Sequence, residues 1–182
     1  MPWLRATPLH TVRLNLEPLE VRHAAEMAAV LSSPELYIFT GGEPPTEDLL
    51  DSRYRRQTIG HSPEGDAKWL NWIIYSRSTR TAVGYVQATL TVEGGALVAD
   101  TAWLVTASAQ HRGIATEAAG AMLAWLRAQG VISIRALIHP DHHASAHVAQ
   151  RLGYVPTTIT VDGESLWELP ETSTPEPPTP TR

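Results

Sequence analysis

The richest chemistry in the chain lies in AWLVTASAQHRGIATEAAGAMLAWL, from Ala102 to Leu126. A strand pattern ends near Val105, a polar loop follows, and a helix pattern opens at once. The first N–H groups of a helix have no internal partner, point outward and carry about half a unit of positive charge. The mouth formed by Gln110, His111, Arg112, Gly113, Ile114 and Ala115 is therefore a place where an anion, above all a phosphate, can dock. Gly113 and Ala115 are small enough to let it approach the backbone, and Arg112 adds a fixed charge. An ordinary strand–loop–helix corner would read the same, so both readings stand at this level. No Lys-Ser/Thr pair follows the glycine, and the three-glycine dinucleotide spacing is missing.

A second cluster is HPDHHASAH, which places His139, Asp141, His142, His143 and His147 within nine residues. His143 and His147 stand at i and i+4, a spacing at which neutral imidazoles can share a metal. Against a metal site, no glutamate lies between the pair, and Pro-Asp-His-His reads as a loop leading into a helix cap. The expectation is no metal, with a His-rich metal-binding protein as the rival.

These segments need a frame. The chain has 182 residues, 43% of them apolar and 18% charged, which suits one folded domain. It has no cysteine, so disulfides, thiolate metal sites and a cysteine nucleophile are excluded. The net charge is −5, which argues against nucleic acid as a partner. Lys68 is the only lysine among 14 basic residues. No apolar run has the length of a signal peptide or membrane span, so no membrane partner and a cytoplasmic, bacterium-like setting are expected. From Pro170 the sequence PETSTPEPPTPTR lacks any apolar side chain but proline, so residues 170–182 are expected to be a disordered tail on a domain of residues 1–169.

Alternating VRLNLE predicts a first strand, and Leu19–Leu31 an alanine-rich helix. Thr46 caps a second helix with acids in its first turn. KWLNWIIYS, AVGYVQATLT and ALVADTAWLV, separated by turn signals, predict an antiparallel meander. In KWLNW, Trp69 and Trp72 point to opposite faces, one of them into the core. A long helix from Ile114 to about Gln129, the strand VISIRALIH, the helix SAHVAQRL ending at Gly153, and a hairpin about Asp162-Gly163 complete the order. That order, β-α-α-β-β-β-α-β-α-β-β, gives an α/β (α+β) fold: a mixed, mostly antiparallel seven-stranded sheet with helices on its faces.

Three segments carry a family resemblance. QHRGIA resembles the Q/R-x-x-G-x-G/A signature of the GNAT N-acetyltransferases, with alanine in the last place. IHPDHHASAHVAQRLGY, from Ile138 to Tyr154, is similar to that family's next motif: a strand end, P-x-N-x-x-S, a short helix and L-G-F. TVRLNLEPL resembles its first strand. The three stand in the family's order over nearly the whole folded part, and the branch they most resemble is the ribosomal-protein-alanine acetyltransferases.

The resemblance implies acetyl-CoA as cosubstrate, bound where the fourth and fifth strands splay apart. It places Trp103, Leu104 and Val105 along one side of the pantetheine. It gives the pyrophosphate to the amides of Gln110 to Ala115, and the thioester carbonyl to a backbone N–H near Trp103. Asp100, in ADTAWL, falls where this branch often carries a glutamate, and is the implied base or substrate anchor; a strand carboxylate in an ion pair is the alternative. A glutamate that some relatives carry on the fifth strand would fall at Leu137. The tyrosine that protonates the leaving thiolate in many relatives would fall at Ala149, which leaves Ser145 as the donor, or else as a helix cap. His142 takes the place of an asparagine that bonds pantetheine. The acidic segment with Glu43, Asp48 and Asp51 lies where the family shapes its acceptor pocket, and is expected to draw a cationic amine.

The function so implied is transfer of an acetyl group from acetyl-CoA to a primary amine, on a small molecule or a peptide, by direct attack in a ternary complex. A non-catalytic acyl-CoA sensor is the alternative. The sequence leaves monomer and homodimer equally open.

Overall fold

The computed structural model describes residues 4–170; of the tail expected over 170–182, all but Pro170 lies outside them. Eight strands form one sheet: β1 (Leu9–His10), β2 (Leu14–Pro18), β3 (Lys68–Ser76), β4 (Ala82–Glu93), β5 (Ala96–Val105), β6 (Ser133–Ile138), β7 (Val155–Val161) and β8 (Glu164–Leu169). Their order across the sheet is β1-β2-β3-β4-β5-β6-β8-β7. All neighbours are antiparallel except β5 and β6. The additional strand is β1, whose two residues pair with Leu16 and Asn15. It is too short to show an alternating pattern, so only seven strands are legible in the sequence. The fourth and fifth strands of that count are β5 and β6.

Helices α1 (Ala24–Val30) and α2 (Glu47–Gln57) cover one face; α3 (Ile114–Ala128) and α4 (His143–Leu152) cover the other. The alanine-rich segment splits, because Val21–His23 makes a 3-10 turn before α1 begins. Thr46 caps α2 as expected, its hydroxyl accepting from Leu49 N at 3.3 Å.

The strand pattern decides what each face buries. Leu14, Leu16, Leu70, Trp72, Ile74, Val86, Ala88 and Leu90 pack beneath α3 with Ala118, Met122 and Leu126. The indole of Trp72 is fully buried, meets Trp125 edge-on at 5.5 Å and donates to Thr7 O at 2.8 Å. On the opposite face Ile73 packs with Met27, Leu31, Leu50 and Tyr54 of α1 and α2. Trp69 lies three residues from Trp72 and lines a surface cleft on that second side, as the strand period requires.

Candidate active site

Strand pairing creates the first feature of the site. β5 pairs with β6 at only three positions: Val98 with Ser133, Ala99 with Ile134, and Asp100 with Arg135. Beyond Asp100 the two strands run on without pairing. Their outer edges stay held, β5 by β4 as far as Val105, and β6 by β8 as far as Ile138. A wedge therefore opens between them. Thr106 N donates to Val83 O at 2.8 Å, and the β4–β5 register is uninterrupted. In an antiparallel pair, alternate residues exchange hydrogen bonds with the neighbour. Even-numbered β5 residues thus spend their backbone groups on β4, and those of Trp103 face the wedge.

The apex is tied by side chains. Thr101 Oγ1 donates to Arg135 O at 2.8 Å, which leaves it to accept from Tyr154 Oη at 2.7 Å. Burial pushes the Tyr154 phenol well above its ordinary pKa, so it stays protonated. The Trp103 ring lies 6.0 Å from that of Tyr154, and its Nε1 is buried with no partner among the described residues. Leu104 packs toward α1 and α2, and Val105 is buried.

The second feature is the mouth of α3. Gly113 is its N-cap at φ 73, and His111 precedes it at φ 58, so two left-handed residues turn the chain into the helix. Glycine adopts this conformation freely. The helix's first backbone bond runs from Glu117 N to Gly113 O at 3.0 Å. Among the described residues, the amides from His111 to Thr116 have no acceptor. Gln110 folds back instead, its Nε2 donating to Val105 O at 3.1 Å. Arg112 and His111 are exposed.

The N-terminal segment clamps this mouth. Arg13 donates to Arg112 O at 2.9 Å and to Glu117 Oε2 at 2.6 Å, while Thr11 Oγ1 donates to Glu117 Oε1 at 2.6 Å. Burial opposes ionisation of Glu117, but the bonds from Thr11 and Arg13 prevail and hold its pKa below the usual value.

A matching family model settles what this arrangement belongs to: a GNAT acetyltransferase domain, over residues 13–155. The chain belongs to the GNAT acetyltransferase family. It is an acetyl-CoA-dependent N-acetyltransferase. No curated protein matches the sequence. Among solved structures, it is similar to the ribosomal-protein-S5-alanine acetyltransferase of Vibrio fischeri at TM-score 0.75 and 15% identity, covering 92% of this chain and 98% of that one. It is also similar to a GNAT-family acetyltransferase from Bacillus anthracis at TM-score 0.69 and 14% identity, covering 89% and 96%. The ribosomal L7/L12 α-N-protein acetyltransferase RimL, solved with coenzyme A, matches at TM-score 0.71 and 15% identity, covering 89% and 97%. At these identities the likeness is one of fold.

Within the GNAT frame, the expected catalytic residues have definite surroundings. Asp100 sits at the last paired rung, half-exposed on the α1–α2 face. Both its oxygens are held by Arg135, Nε to Oδ1 at 2.9 Å and Nη2 to Oδ2 at 3.0 Å. Arg135 also reaches Glu93 at 3.0 Å. The ion-pair alternative for Asp100 is thus realised, although a carboxylate so held keeps two of its lone-pair sites. Ser145 is not a cap. It is the third residue of α4, whose N-cap is His142, and its hydroxyl has no partner among the described residues. Ala149 is buried.

His142 stacks on Phe39 at 4.5 Å with planes 19° apart, and His139 stands 5.5 Å from the same ring. Burial first, then the charges of His139 and His143, lower the His142 pKa below the ordinary histidine value. Among the described residues, no three His, Asp or Glu side chains converge as metal ligands. The histidines share a segment but spread over a stacked pair and an exposed helix face.

A groove runs along the α1–α2 face from beside β5 toward the N-terminal segment. One cleft of ≈ 410 Å³ is lined by Arg53, Arg56 and Gln57 of α2 and by Trp69, Asn71, Gln87 and Thr89 of β3 and β4. A second, of ≈ 510 Å³, shares Gln57, Trp69 and Asn71 with it and adds Arg5, His61 and Lys68. Glu43, Asp48 and Asp51 do not line either cleft. Asp51 is bound to Arg55 at 2.6 Å.

Sequence reasoning missed Thr101 and Tyr154, Arg135, and Gly84. A β-carbon on Gly84 would collide with the Leu104 carbonyl and stand 2.9 Å from Val105 Cα. The sequence signals were faint: a threonine in a strand, the tyrosine of L-G-Y, and a glycine inside a long strand.

Proposed function

We propose that acetyl-CoA lies in the wedge between β5 and β6 and that a primary amine, on a small molecule or a peptide, enters from the α1–α2 face and attacks it directly. The carrying observation is that β5–β6 pairing stops at Asp100 and Arg135, while the same β5 runs on into the unpaired amides at the mouth of α3. An extended chain ending in a pyrophosphate fits that continuity. Its amide arm replaces the missing strand, and its anion meets His111 to Thr116.

The cosubstrate supplies an activated acyl group: the amine nitrogen bonds to the thioester carbonyl carbon, the C–S bond breaks, and the thiolate gains a proton on leaving. The N–H of Trp103 faces the wedge and donates to the carbonyl oxygen as charge develops there. Ser145, with a free hydroxyl, donates toward the sulfur. His142 contacts the pantetheine arm in its neutral form. Asp100, held in place by Arg135, serves as an acceptor that orients the amine or the water beside it, and the proton leaves to solvent. Dependence on acetyl-CoA supports the cytoplasm as the place of action.

The test is an acetyl-CoA consumption screen against an amine library, with mass spectrometry of products. Acetylated amines that vanish when the wedge is blocked, for instance in Trp103→Arg, support this reading. Acetyl-CoA that is neither bound nor consumed by the folded chain overturns it.

A further inference from the structure

The groove carries a charge pattern that the chain as a whole does not. The net charge is −5. Yet Arg5, Arg53, Arg56 and Lys68 all line the groove, and neither of its clefts has an aspartate or glutamate among its lining residues. Acids are not scarce in α2, which holds Glu47, Asp48 and Asp51, but none of them lines either cleft. Asp51 pairs with Arg55 and leaves Arg53 and Arg56 alone. These two stand three residues apart on one helix side. Neither forms an ion pair or side-chain hydrogen bond with any described residue. Both are exposed residues that line the cleft beside Trp69 and Gln87.

The position matters as much as the charge. Gln87 and Thr89, in the floor of the groove, pair with Ala102 and Asp100 of β5. The groove therefore begins one strand away from the wedge. Its floor is polar and neutral, with Asn71, Gln87 and Thr89, and Trp69 provides a flat apolar wall. Asp100, paired with Thr89 across the strands, is engaged by Arg135.

We propose that the acceptor is an amine carrying a carboxylate or phosphate, with Arg53 and Arg56 holding that anion while the amine reaches β5. This rests on the acetyl-transfer reading above and names the substrate class of the same site. Two unpaired guanidiniums offer forked donors that match either anion. A polycationic amine, by contrast, would meet like charge at Arg53 and Arg56.

The test uses the full chain, acetyl-CoA and matched acceptor pairs: phosphoethanolamine against ethanolamine, β-alanine against its amide, and a short peptide with aspartates after its first residue against the same peptide with asparagines. At low salt, kcat/KM is expected to favour the anionic member of at least one pair by roughly tenfold, the worth of one charge-assisted hydrogen bond. The phosphate, carboxylate and peptide arms show which source supplies the anion. In the double variant R53Q/R56Q the preference is expected to shrink to about twofold, as it also should on raising salt. Acetyl-CoA affinity, measured by calorimetry, should not follow it. Equal or better use of the neutral members overturns the proposal while leaving acetyl transfer intact, as does an unchanged preference in R53Q/R56Q. Loss of acetyl-CoA affinity in that variant would assign the arginines to the cosubstrate instead. If acetyl-CoA binds but none of the anionic acceptors is acetylated, the proposal also falls. If acetyl-CoA neither binds nor is consumed, the acetyl-transfer reading falls first and takes the proposal with it.

Discussion

Asp100 and Arg135 face each other across the last rung that β5 and β6 share, with one guanidinium holding both carboxylate oxygens at 2.9 and 3.0 Å. The hydrogen bonds that Arg135 donates to Asp100 raise its pKa further above the ordinary value. The pair marks where the sheet stops and the wedge starts. It also commits one lone-pair site on each Asp100 oxygen to Arg135. Asp100→Asn is therefore expected to raise KM for the amine roughly tenfold, with a smaller change in kcat and an acidic limb that persists in the pH–rate profile. Loss of that limb with a ~10²-fold fall in kcat would assign it general-base work instead.

Thr101 replaces the missing ladder bond at the apex. Thr101→Val keeps the shape but leaves the buried Tyr154 hydroxyl and the Arg135 carbonyl short of partners. Chemical denaturation should show a loss of about 1–3 kcal/mol. Tyr154→Phe should cost less, and the double variant should cost less than the sum of the two. Strict additivity would show that the relay does not exist.

Gly84 has no room for a side chain. Its absent β-carbon would meet the Leu104 carbonyl and Val105 Cα, both backbone, in the strand that borders the wedge. Gly84→Ala should destabilise the fold by about 1–3 kcal/mol and weaken acetyl-CoA binding together. An alanine variant as stable as the parent would contradict this packing.

His23 ties stability to pH. It is buried, and its Nδ1 accepts from Glu20 N at 3.0 Å, which requires an unprotonated Nδ1. Burial first, then the charge of Arg22, lowers its pKa from 6.5. The unfolded chain therefore takes up this proton more readily than the folded one. Its contribution is whole above pH 6.5 and is lost as pH falls from there toward the folded-state value. Melting temperatures between pH 7.5 and 5 should fall less steeply in His23→Gln, which keeps a capping acceptor at the same place. An unchanged slope would remove His23 from the acid response.

Much of this is legible in the sequence. The order of elements followed from local patterns: the β-branched runs of the meander, the Thr46 cap, and Gly153 closing α4. The helix mouth was legible because Gln110 to Ala115 are contiguous. The apex was not, since Thr101, Arg135 and Tyr154 meet across long sequence separations. The cationic groove was missed for the same reason. Arg53 and Arg56 read as ordinary helix surface, and only their placement over Trp69 and Gln87 gives them a role. The acids expected to draw an amine lie in one local stretch, and none of them lines either cleft.

That the CoA pyrophosphate rests on the amides of His111 to Thr116 is tested most directly by amide NMR during titration with CoA. The expected result is that these six amides, with Trp103 in the wedge, show the largest shifts and slowed hydrogen exchange. In Arg112→Glu, which leaves the fold untouched because its side chain is exposed, the same amides should respond at roughly tenfold higher CoA concentration. CoA that binds while these amides stay unmoved, with shifts gathered instead about Arg53 and Trp69, would contradict the site.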